Sequence, residues 1–368
     1  MAYTDIDKPD LYFNTVIYAG TGSSHAITVG FQPDWVWIKN RDAGNDHNSY
    51  DSIRGATKDL NNNTTNAEST IAEGLKSFDS NGFTVGTNTA HNGSSENYVS
   101  WNWLASNTTA SNTDGSITST VSANTTSGFS IVSYTGNGVS GASIGHGLNS
   151  TPKIVITKNR SNAVDWFYFT TAIDGSWDYL VLNSTVAKGD SGATAPDSSV
   201  FYATSGTGIN TNGDNYIAYC FAEKKGFSKF GSYTGNGNAD GTFVYTGFKP
   251  AWVMIKKSSA SGNNWVIYDN KRDVDNVVHH RLHADVSNAE VNTSSSTVNN
   301  MDFLSNGIKI RNSGGAWNNS GDTYIYMCFA ENPFVTSTSI PCTARWFVQI
   351  QIVIKKLLEE DQMLILVL

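Results

Sequence analysis

The segment RDVDNVVHHRLHAD, at positions 272–285, has the greatest density of titratable side chains in the sequence. It contains three carboxylates and three imidazoles: Asp273, Asp275, His279, His280, His283 and Asp285. Imidazole nitrogens and carboxylate oxygens bind zinc and similar ions, and residues four apart share one face of an α-helix. If this segment is helical, His279 and His283 therefore predict a metal site that a nearby carboxylate completes.

A solvated loop is the alternative interpretation of this segment, and it explains more of the sequence. The corresponding part of an earlier repeat, RGATKDL at 54–60, is shorter and contains no histidine. Insertions usually lie in exposed loops. We therefore expect no bound metal and no other cofactor, although the spacing of His279 and His283 leaves a metal site open.

A second candidate for metal binding is NGNADG, at 236–241, which has the Asn, Asp and Gly content of a calcium loop. It lacks the closing Glu and the full spacing of oxygen ligands that such loops need. A β-turn between two strands accounts for the same residues, so we predict a turn here and leave calcium as the alternative.

Hydrolytic chemistry would need a carboxylate pair, or a nucleophile with its base. The middle of the chain offers carboxylates, namely Asp165, Asp174, Asp178 and Asp197. Nothing in the sequence pairs them, and we expect no nucleophile elbow and no phosphate-binding glycine loop. We therefore predict that the protein is not an enzyme and has no catalytic residues.

Tryptophans in turn-rich segments are the candidates for ligand binding. An exposed indole ring packs on the C–H face of a sugar while neighbouring polar groups bind its hydroxyls. Trp317, in SGGAWNNSGD, is the best candidate, and Trp166 and Trp177 are two more. The alternative is that these rings pack in a core. We assign the tryptophans at strand positions to packing: Trp35, Trp37, Trp101, Trp103 and Trp252.

The composition points to a β-rich protein. Of the 368 residues 39% are hydrophobic and only 15% are charged, so Ser, Thr, Asn and Gly must supply the polar surface. Those residues disfavour long helices and suit short strands joined by turns. The net charge of −8 and the absence of a basic run argue against nucleic-acid binding. No signal peptide and no membrane-spanning stretch are expected. Three cysteines without a Cys-x-x-Cys pair fit synthesis in a reducing cytoplasm.

Three octets show that the chain repeats itself: YVSWNWLA, YIAYCFAE and YIYMCFAE start at Tyr98, Tyr216 and Tyr324. Other segments recur in the same order, for example VIYAGTG, VSYTGNG and GSYTGNG, or DWVWIK, KIVITK and AWVMIK. Ordered matches at similar spacing are typical of a repeated domain. In each octet the alternate large apolar residues share one face of a strand, which we predict to enter a core. Cys220 and Cys328 point the other way.

The short alternating segments, broken by Gly, Asn and Pro, predict an all-β fold of antiparallel β-sandwiches. We expect three tandem modules of the jelly-roll or concanavalin-like type. The expected parts of the chain are an N-terminal arm (1–12), repeat 1 (13–112), repeat 2 (113–224), repeat 3 (225–335) and a divergent tail (336–368). The alternation in ITSTVSA makes it a candidate first strand of repeat 2.

The segments FNTVIYAGTG and VGFQPDWVWIKNR, with GFSIVSYTGNG, PKIVITKNR and NYIAYCFAEKKGF further on, carry a family resemblance. Over roughly residues 13–345 the chain resembles a tandem-repeat β-sandwich domain of virion and tail-fibre-like proteins of marine tailed phages (cyanophages and pelagiphages). The resemblance implies a virion structural protein with jelly-roll-like modules, and brings no catalytic motif. The tail departs from it, because the Lys/Ile/Leu-rich run from Trp346 continues no repeat: it is either an assembly element or an aberrant, unstructured extension.

We therefore expect a virion structural or adhesion protein of the tail-fibre or surface-decoration type. It would be made in the host cytoplasm and displayed on the particle exterior. The expected partners are other virion proteins, further copies of the chain (for example as a trimer) and host-surface glycans, with no nucleic acid and no membrane insertion. The alternatives are a lectin-like receptor-binding module and a glycan hydrolase of the tail-spike type.

Overall fold

The computed structural model describes residues 4–206, 208–294 and 300–333. Within these ranges the chain forms 28 strands, one short 3₁₀ helix at Pro9–Leu11 and one four-residue α-helix at Thr89–Asn92 (α1). The predicted all-β class is confirmed. The predicted tail, including Cys342, lies outside the described residues. Among the residues that are described, no helix has the length and apolar character needed to cross a membrane.

The strands of repeats 1 and 3 follow one another in the same order. Repeat 2 keeps this order with two extra strands at its start and one strand fewer in its small sheet. In repeat 1 the strands are Phe13–Ala19 (β1), His25–Thr28 (β2), Trp35–Asn40 (β3), Asn48–Asp51 (β4), Lys58–Asn61 (β5), Ser69–Thr70 (β6), Leu75–Asp79 (β7), Gly82–Val85 (β8) and Asn97–Trp103 (β9). Next come Ala110–Asn112 (β10), Ser119–Asn124 (β11), Phe129–Thr135 (β12), Ala142–Gly145 (β13), Ile154–Asn159 (β14), Phe167–Thr170 (β15), Asp178–Val181 (β16), Gly189–Asp190 (β17), Val200–Ala203 (β18) and Asn215–Phe221 (β19). Repeat 3 has Ser228–Thr234 (β20), Phe243–Tyr245 (β21), Phe248–Lys257 (β22), Val266–Asp269 (β23), His280–His283 (β24), Val291–Asn292 (β25), Met301–Leu304 (β26), Gly307–Ile310 (β27) and Thr323–Pro333 (β28).

Each repeat contributes one large and one small antiparallel sheet. The large sheets share one strand order: β1-β9-β3-β4-β5-β6, then β12-β19-β14-β15-β16-β17, then β20-β28-β22-β23-β24-β25. The small sheets are β2-β8-β7, β13-β18 and β21-β27-β26. Two further strands, β10 and β11, extend the large sheet of repeat 2. The candidate first strand ITSTVSA thus falls largely on β11, whereas residues 110–112, which we placed in repeat 1, belong to the sheet of repeat 2.

Large and small sheets pack face to face within each repeat, which makes the fold β-sandwich-like. In repeat 1, for example, Val36 and Ile38 of β3 pack with Ile27 of β2 and Phe83 of β8. Corresponding clusters fill repeats 2 and 3. Side chains alternate between the two faces of a strand, so the remaining β3 side chains must point away from the small sheet.

Those opposite faces of the three large sheets pack against one another in a single central core. Its members come from all three repeats, and they include most of the tryptophans: Trp35, Trp37, Trp101, Trp103, Trp166, Trp252 and Trp265. Trp35 stacks on Trp103 of its own repeat, with ring centroids 4.4 Å apart, and on Tyr219 of repeat 2 at 4.2 Å. At roughly 25 cal/mol per Å², burying one such ring contributes about 4–6 kcal/mol of gross transfer free energy. The large sheets therefore depend on one another for the burial of one whole face.

The octets that revealed the repetition are the strands β9, β19 and β28. Their predicted apolar faces all enter the central core, which confirms the prediction: Val99, Trp101 and Trp103, then Ile217, Tyr219 and Phe221, then Ile325, Met327 and Phe329. The opposite face enters the core of the strand's own repeat, so these strands are buried on both sides. Cys220 and Cys328 lie there as free thiols, and burial raises the pKa of each. Both side chains pack in the core, and neither thiol is exposed as a nucleophile.

The N-terminal arm joins the central core. Ile6 is buried in it, and Phe13 stacks on Phe329 of repeat 3 with ring centroids 4.8 Å apart. Tyr12 makes an edge contact with Phe227. The start of the chain is thereby packed against its last described strand.

Candidate functional site

One position in each repeat joins that repeat to its neighbour. The position immediately precedes β4 in repeat 1, β15 in repeat 2 and β23 in repeat 3. Its ring nitrogen donates a hydrogen bond to the carbonyl oxygen of the last residue of a strand in another repeat, which is β24, β5 and β16 respectively. The three contacts are His47 Nε2 to His283 O (2.9 Å), Trp166 Nε1 to Asn61 O (2.8 Å) and Trp265 Nε1 to Val181 O (2.9 Å). Repeat 1 thus bonds repeat 3, repeat 2 bonds repeat 1, and repeat 3 bonds repeat 2. The chain closes a ring with pseudo-threefold symmetry.

His47 can take the place of a tryptophan because a hydrogen bond from Trp37 fixes its tautomer. The indole N–H of Trp37 donates to Nδ1 of His47 over 2.9 Å. Since Nδ1 accepts, Nε2 of the neutral ring carries the proton and donates to the carbonyl of His283. Burial is the main cause that lowers the pKa of His47 well below its usual range, and the nearby Lys39 lowers it further. The imidazole therefore stays neutral at pH 7.

A second set of contacts repeats around the same ring, now between backbone groups. Three amides donate to carbonyl oxygens across the three junctions: Glu68 N to Arg160 O (3.0 Å), Lys188 N to Ser258 O (2.9 Å) and Glu290 N to Arg41 O (2.7 Å). Because these bonds need no particular side chain, all three junctions keep them. The side chains of these residues therefore differ between the junctions.

Two of the three junctions add ion pairs. Arg41 forms a two-pronged contact with Glu290, through its Nη2 at 2.7 Å and its Nε at 3.0 Å. Arg160 contacts Glu68 in the same way, at 2.8 and 3.1 Å. Planar guanidinium–carboxylate pairs of this kind add both attraction and orientation. At the remaining junction, Lys188 replaces the Glu and bonds Asp174 and Asp178 within its own repeat.

The same two junctions contain a fully buried arginine–carboxylate pair. Arg54 pairs with Asp51, and the Tyr219 hydroxyl of repeat 2 donates to that carboxylate over 2.8 Å. In repeat 3 the equivalent pair is Arg272 with Asp269 (2.7 Å). Its carboxylate accepts the indole N–H of Trp101, from repeat 1, over 3.1 Å.

At the third junction the polar partners are lost together. Thr170 stands where the other repeats have Asp51 and Asp269, and Ile173 stands where they have an arginine. Met327, in the central core, holds the strand position that Tyr219 and Trp101 hold in the other repeats, and its side chain has no hydrogen to donate. A buried charge without its partner is costly, and the absence of both the carboxylate and the arginine leaves no unpaired charge at these two positions.

The Asp273 cluster, defined here as Asp273, His279 and His280, lies in repeat 3, where Asp273 directly follows Arg272 and His280 begins β24. Its candidate ligand atoms all lie within 4.8 Å of one another, and no other such group of three occurs among residues 4–206, 208–294 and 300–333. Asp273 Oδ1 is 2.7 Å from His280 Nδ1 and 3.4 Å from His279 Nε2. Its Oδ2 accepts the backbone amides of both histidines. The geometry is suited to a divalent cation.

For this segment we preferred a solvated loop, and a helix that brings His279 and His283 together was the alternative. Residues 274–277 are exposed and belong to no strand, whereas Asp273 and Val278 on either side are buried. His280–His283 is a strand, so the helix that would have brought His279 and His283 together is wrong. The pairing of His283 with Val266 in the sheet and the ring closure through the His283 carbonyl impose an extended backbone there. His283 lies outside the cluster, and burial lowers its pKa to about 4. Asp275 is exposed.

Other predicted candidates are hydrogen-bonded in ordinary ways. In the segment 236–241 the side-chain oxygens of Asn236 and Asn238 accept backbone amides, and Asp240 pairs with Lys309 at 2.8 Å. This is the predicted turn, with its carboxylate turned to a cationic side chain. In repeat 2, Asp165 accepts from Asn183, and Asp197 accepts the amides of Ser199 and Val200.

A short string in repeat 2, GASIG at 141–145, matches the letters of a Gly-x-Ser-x-Gly motif. The motif acts only where the serine sits on a sharp turn between a strand and a helix. Ser143 lies instead within β13, and its backbone and side chain bond Ser116. The expected absence of a nucleophile elbow therefore holds for this segment.

The three tryptophans proposed for glycan binding are all buried, so the exposure that this hypothesis required is wrong. Trp166 is 0% exposed, and Trp177 and Trp317 are each 4% exposed. Trp166 lies at a junction, Trp177 stacks on Phe169, and Arg281 covers the ring of Trp317. The partners of Trp166 and Trp317 are distant in sequence, so the segments around these rings do not reveal them. The five tryptophans that we assigned to packing are buried as predicted.

The residues at the junctions were missed by the sequence analysis, although a signal for them exists. His47 lies four positions before Asp51, and Trp166 and Trp265 lie four positions before Thr170 and Asp269. An aromatic ring nitrogen that recurs at one position of every repeat indicates a conserved geometry within the chain. What the sequence does not give is its partner, because each partner lies in another repeat.

Fold and junctions together define an all-β, β-sandwich-like protein in which one chain closes a ring of three related units. A comparison with protein-family models identifies the family: the chain belongs to the family described as "Domain of unknown function (DUF7483)", which matches residues 8–333. The match spans all three repeats as one domain, in agreement with their shared core. Neither the search of curated proteins nor that of solved structures found a match.

Proposed function

We propose that the protein is a structural component of a phage virion, of the tail-fibre or surface-decoration type, which presents repeated β-sandwich surfaces. The observation that carries the proposal is the closed ring of three repeats with one central core. Its largest buried side chains pack in the cores or form the bonds at the junctions, and neither role requires catalysis. The phage assignment itself rests on the family resemblance of the repeated segments. The finer fold, three tandem modules of the jelly-roll or concanavalin-like type, is part of this proposal.

An adhesion role is the part of the proposal that concerns the outer surface. The buried tryptophans remove the one specific support for glycan binding, so contact with host glycans would have to use other groups. A lectin-like module and a tail-spike hydrolase are the alternatives. A glycan array with the full-length protein separates them. Binding without cleavage supports adhesion, and release of reducing ends supports hydrolysis. If the protein neither binds nor cleaves any glycan, the scaffold role is supported.

Localisation is tested on particles. Purified virions that encode this chain should contain it by mass spectrometry, and gold-labelled antibodies raised against it should decorate intact particles at a constant position. The same antibodies should label no particles from which the gene has been deleted. Detection only in the lysate, with none in purified particles, would contradict the proposal.

The oligomeric state bears on how such a surface is built. The homo-oligomer expected by analogy with fibre proteins stays a prediction. Light scattering distinguishes a 39.8 kDa monomer from a trimer of three times that mass. A monomer would mean that the ring of repeats supplies the threefold surface alone.

A further inference from the structure

We propose that the Asp273 cluster binds one divalent transition-metal ion, with Zn²⁺ as the best fit. The site is independent of the proposed structural role. It occurs in repeat 3 alone, because the corresponding segments of repeats 1 and 2, at 54–60 and 173–180, contain no histidine. Its ligands would be one carboxylate oxygen of Asp273 and one imidazole nitrogen from each of His279 and His280.

The first argument concerns the proton on His279. Its Nδ1 lies 2.8 Å from the carbonyl oxygen of Val277, and only a protonated nitrogen can donate to that oxygen. In the neutral ring Nε2 therefore has only a lone pair, yet it lies 3.4 Å from Asp273 Oδ1, which is also an acceptor. Two facing acceptors need a positive charge between them. Either a second proton on the imidazole or a bound metal ion can supply that charge.

The second argument is geometric. Ligand atoms at about 2.0–2.2 Å from a tetrahedral Zn²⁺ lie about 3.3–3.6 Å from one another. The separation of His279 Nε2 from Asp273 Oδ1, 3.4 Å, already has that value. His280 Nδ1, at 2.7 Å from the same oxygen, has to move outward by less than about 1 Å. The bond of His279 to the Val277 carbonyl is the kind of outer contact that orients a histidine ligand.

The carboxylate is held ready for this role. The backbone amides of His279 and His280 donate to Asp273 Oδ2 over 2.8 and 2.7 Å, which leaves Oδ1 facing the two rings. The side chain of Asp273 is 4% exposed, whereas those of His279 and His280 are 27% and 22% exposed. An ion can thus enter past the histidines and meet a rigid carboxylate.

The choice of metal follows from the ligand types. Two imidazoles and one carboxylate suit Zn²⁺, Co²⁺ and Ni²⁺, whereas Ca²⁺ and Mg²⁺ require oxygen ligands. Asp273 also lines a cavity of about 150 Å³, together with Asn270 and Asp275.

The competing explanation is that the cluster is an ion pair between Asp273 and a protonated histidine, without a metal. Titration of metal-free, untagged full-length protein distinguishes the two. A Cys342→Ser background removes the cysteine outside the described residues as a competing ligand. We expect calorimetry to show one Zn²⁺ per chain, and Co²⁺ to give the visible absorption of a four-coordinate site.

The variants His279→Ala, His280→Ala and Asp273→Asn should each weaken Zn²⁺ binding more than about tenfold. Two matched controls should bind as the parent protein does: Asp275→Asn removes a carboxylate from the rim of the same cavity, and His25→Ala removes a histidine from repeat 1. Circular dichroism and melting in EDTA should show that all variants are folded. Absence of Zn²⁺ binding, or equal binding by the cluster variants and the controls, would overturn the proposal.

A measurement on the unmutated side chains protects the test against misfolded variants. Diethylpyrocarbonate modifies accessible histidines, and mass spectrometry locates the modified residues. Zn²⁺ should protect His279 and His280 while leaving the modification of His25 unchanged. Unprotected His279 and His280 at saturating Zn²⁺ would exclude a metal site here, whatever the behaviour of the variants.

Discussion

The imidazole Nε2 of His47 lies 2.9 Å from the carbonyl oxygen of His283, a residue 236 positions further along the chain. This bond closes the ring, because it joins the first repeat to the last. The two equivalent bonds, from Trp166 and Trp265, join repeats that are neighbours in sequence. A histidine does here what tryptophan does at the other junctions, and it also accepts the indole N–H of Trp37.

His47→Phe should destabilise the protein by about 2–5 kcal/mol, because two buried polar groups, the His283 carbonyl and the Trp37 indole, each lose their partner. Trp166→Phe removes only one such bond and should cost less through hydrogen bonding. Urea unfolding followed by tyrosine and tryptophan fluorescence gives both values. His25→Phe, outside the junctions, is the control. Equal stability of His47→Phe and the parent protein would show that the closing bond contributes nothing.

The buried pair of Arg54 and Asp51 should matter far more than an exposed one. Arg54→Met keeps much of the side-chain volume but strands a carboxylate whose side chain is 0% exposed, so we expect a loss of about 3–5 kcal/mol. Lys76→Met breaks the exposed pair with Glu73 and should cost less than about 1 kcal/mol.

Chemical denaturation of both variants makes this comparison. The double variant Asp51→Asn/Arg54→Met should recover part of the loss, because the unpaired charge is then gone. A double variant no more stable than Arg54→Met would mean that the lost packing, and not the stranded charge, explains the effect.

His91 should make the fold sensitive to acid. It is buried in α1, with Nε2 2.8 Å from the Tyr50 hydroxyl and Nδ1 3.0 Å from the Asn88 side-chain oxygen, and burial lowers its pKa to about 3. An unfolded histidine has a pKa of about 6.5, so between these values the unfolded chain binds the extra proton. Stability therefore falls as the pH drops from about 6.5 toward 3, by about 2 kcal/mol at pH 5.

Comparison with His91→Gln isolates this contribution, because the other buried histidines titrate in both proteins. The stability lost between pH 7 and pH 5 should be smaller in the variant by about 2 kcal/mol. Urea midpoints at the two pH values measure the difference. Parallel pH dependence in the two proteins would show that His91 is not the group responsible.

A single repeat should not fold by itself. Residues 106–224, which contain all of repeat 2, would expose Phe129, Ile156, Tyr219 and the rest of the face that the central core covers. We expect this fragment to bind a hydrophobic dye and to melt without a sharp transition, whereas the full chain unfolds in one step by calorimetry. A fragment with a cooperative transition would show that each sandwich is stable alone.

Much of the fold could be predicted because strand faces repeat every two residues. Alternation within the octets correctly places Trp101 and Trp103 in a core, and turn residues mark most strand ends. That rule says nothing about the second face of β9, β19 and β28, which is buried as well. Trp166 was misjudged because the partner of its indole N–H, the carbonyl of Asn61, lies 105 positions away in another repeat.

We predicted that no metal binds, although the sequence singled out the segment in which the candidate metal site lies. Composition drew attention to the segment around His279, since imidazoles and carboxylates are crowded there. The choice of partners depended on an assumed helix, and strand pairing of β24 with β23 made the backbone extended instead. Adjacent residues and Asp273 thus form the cluster, and His283 points elsewhere.

Closing three repeats within one covalent chain frees the ring from mass action. A homotrimer of the same shape would dissociate on dilution, and its stability would depend on the concentration of protomers. This ring has no such dependence, so one copy suffices at any concentration. A gene that encodes all three units can also change one without the others. The junction without the buried arginine–carboxylate pair and the Asp273 cluster of repeat 3 are differences that this freedom allows. A homotrimer of identical chains could have neither.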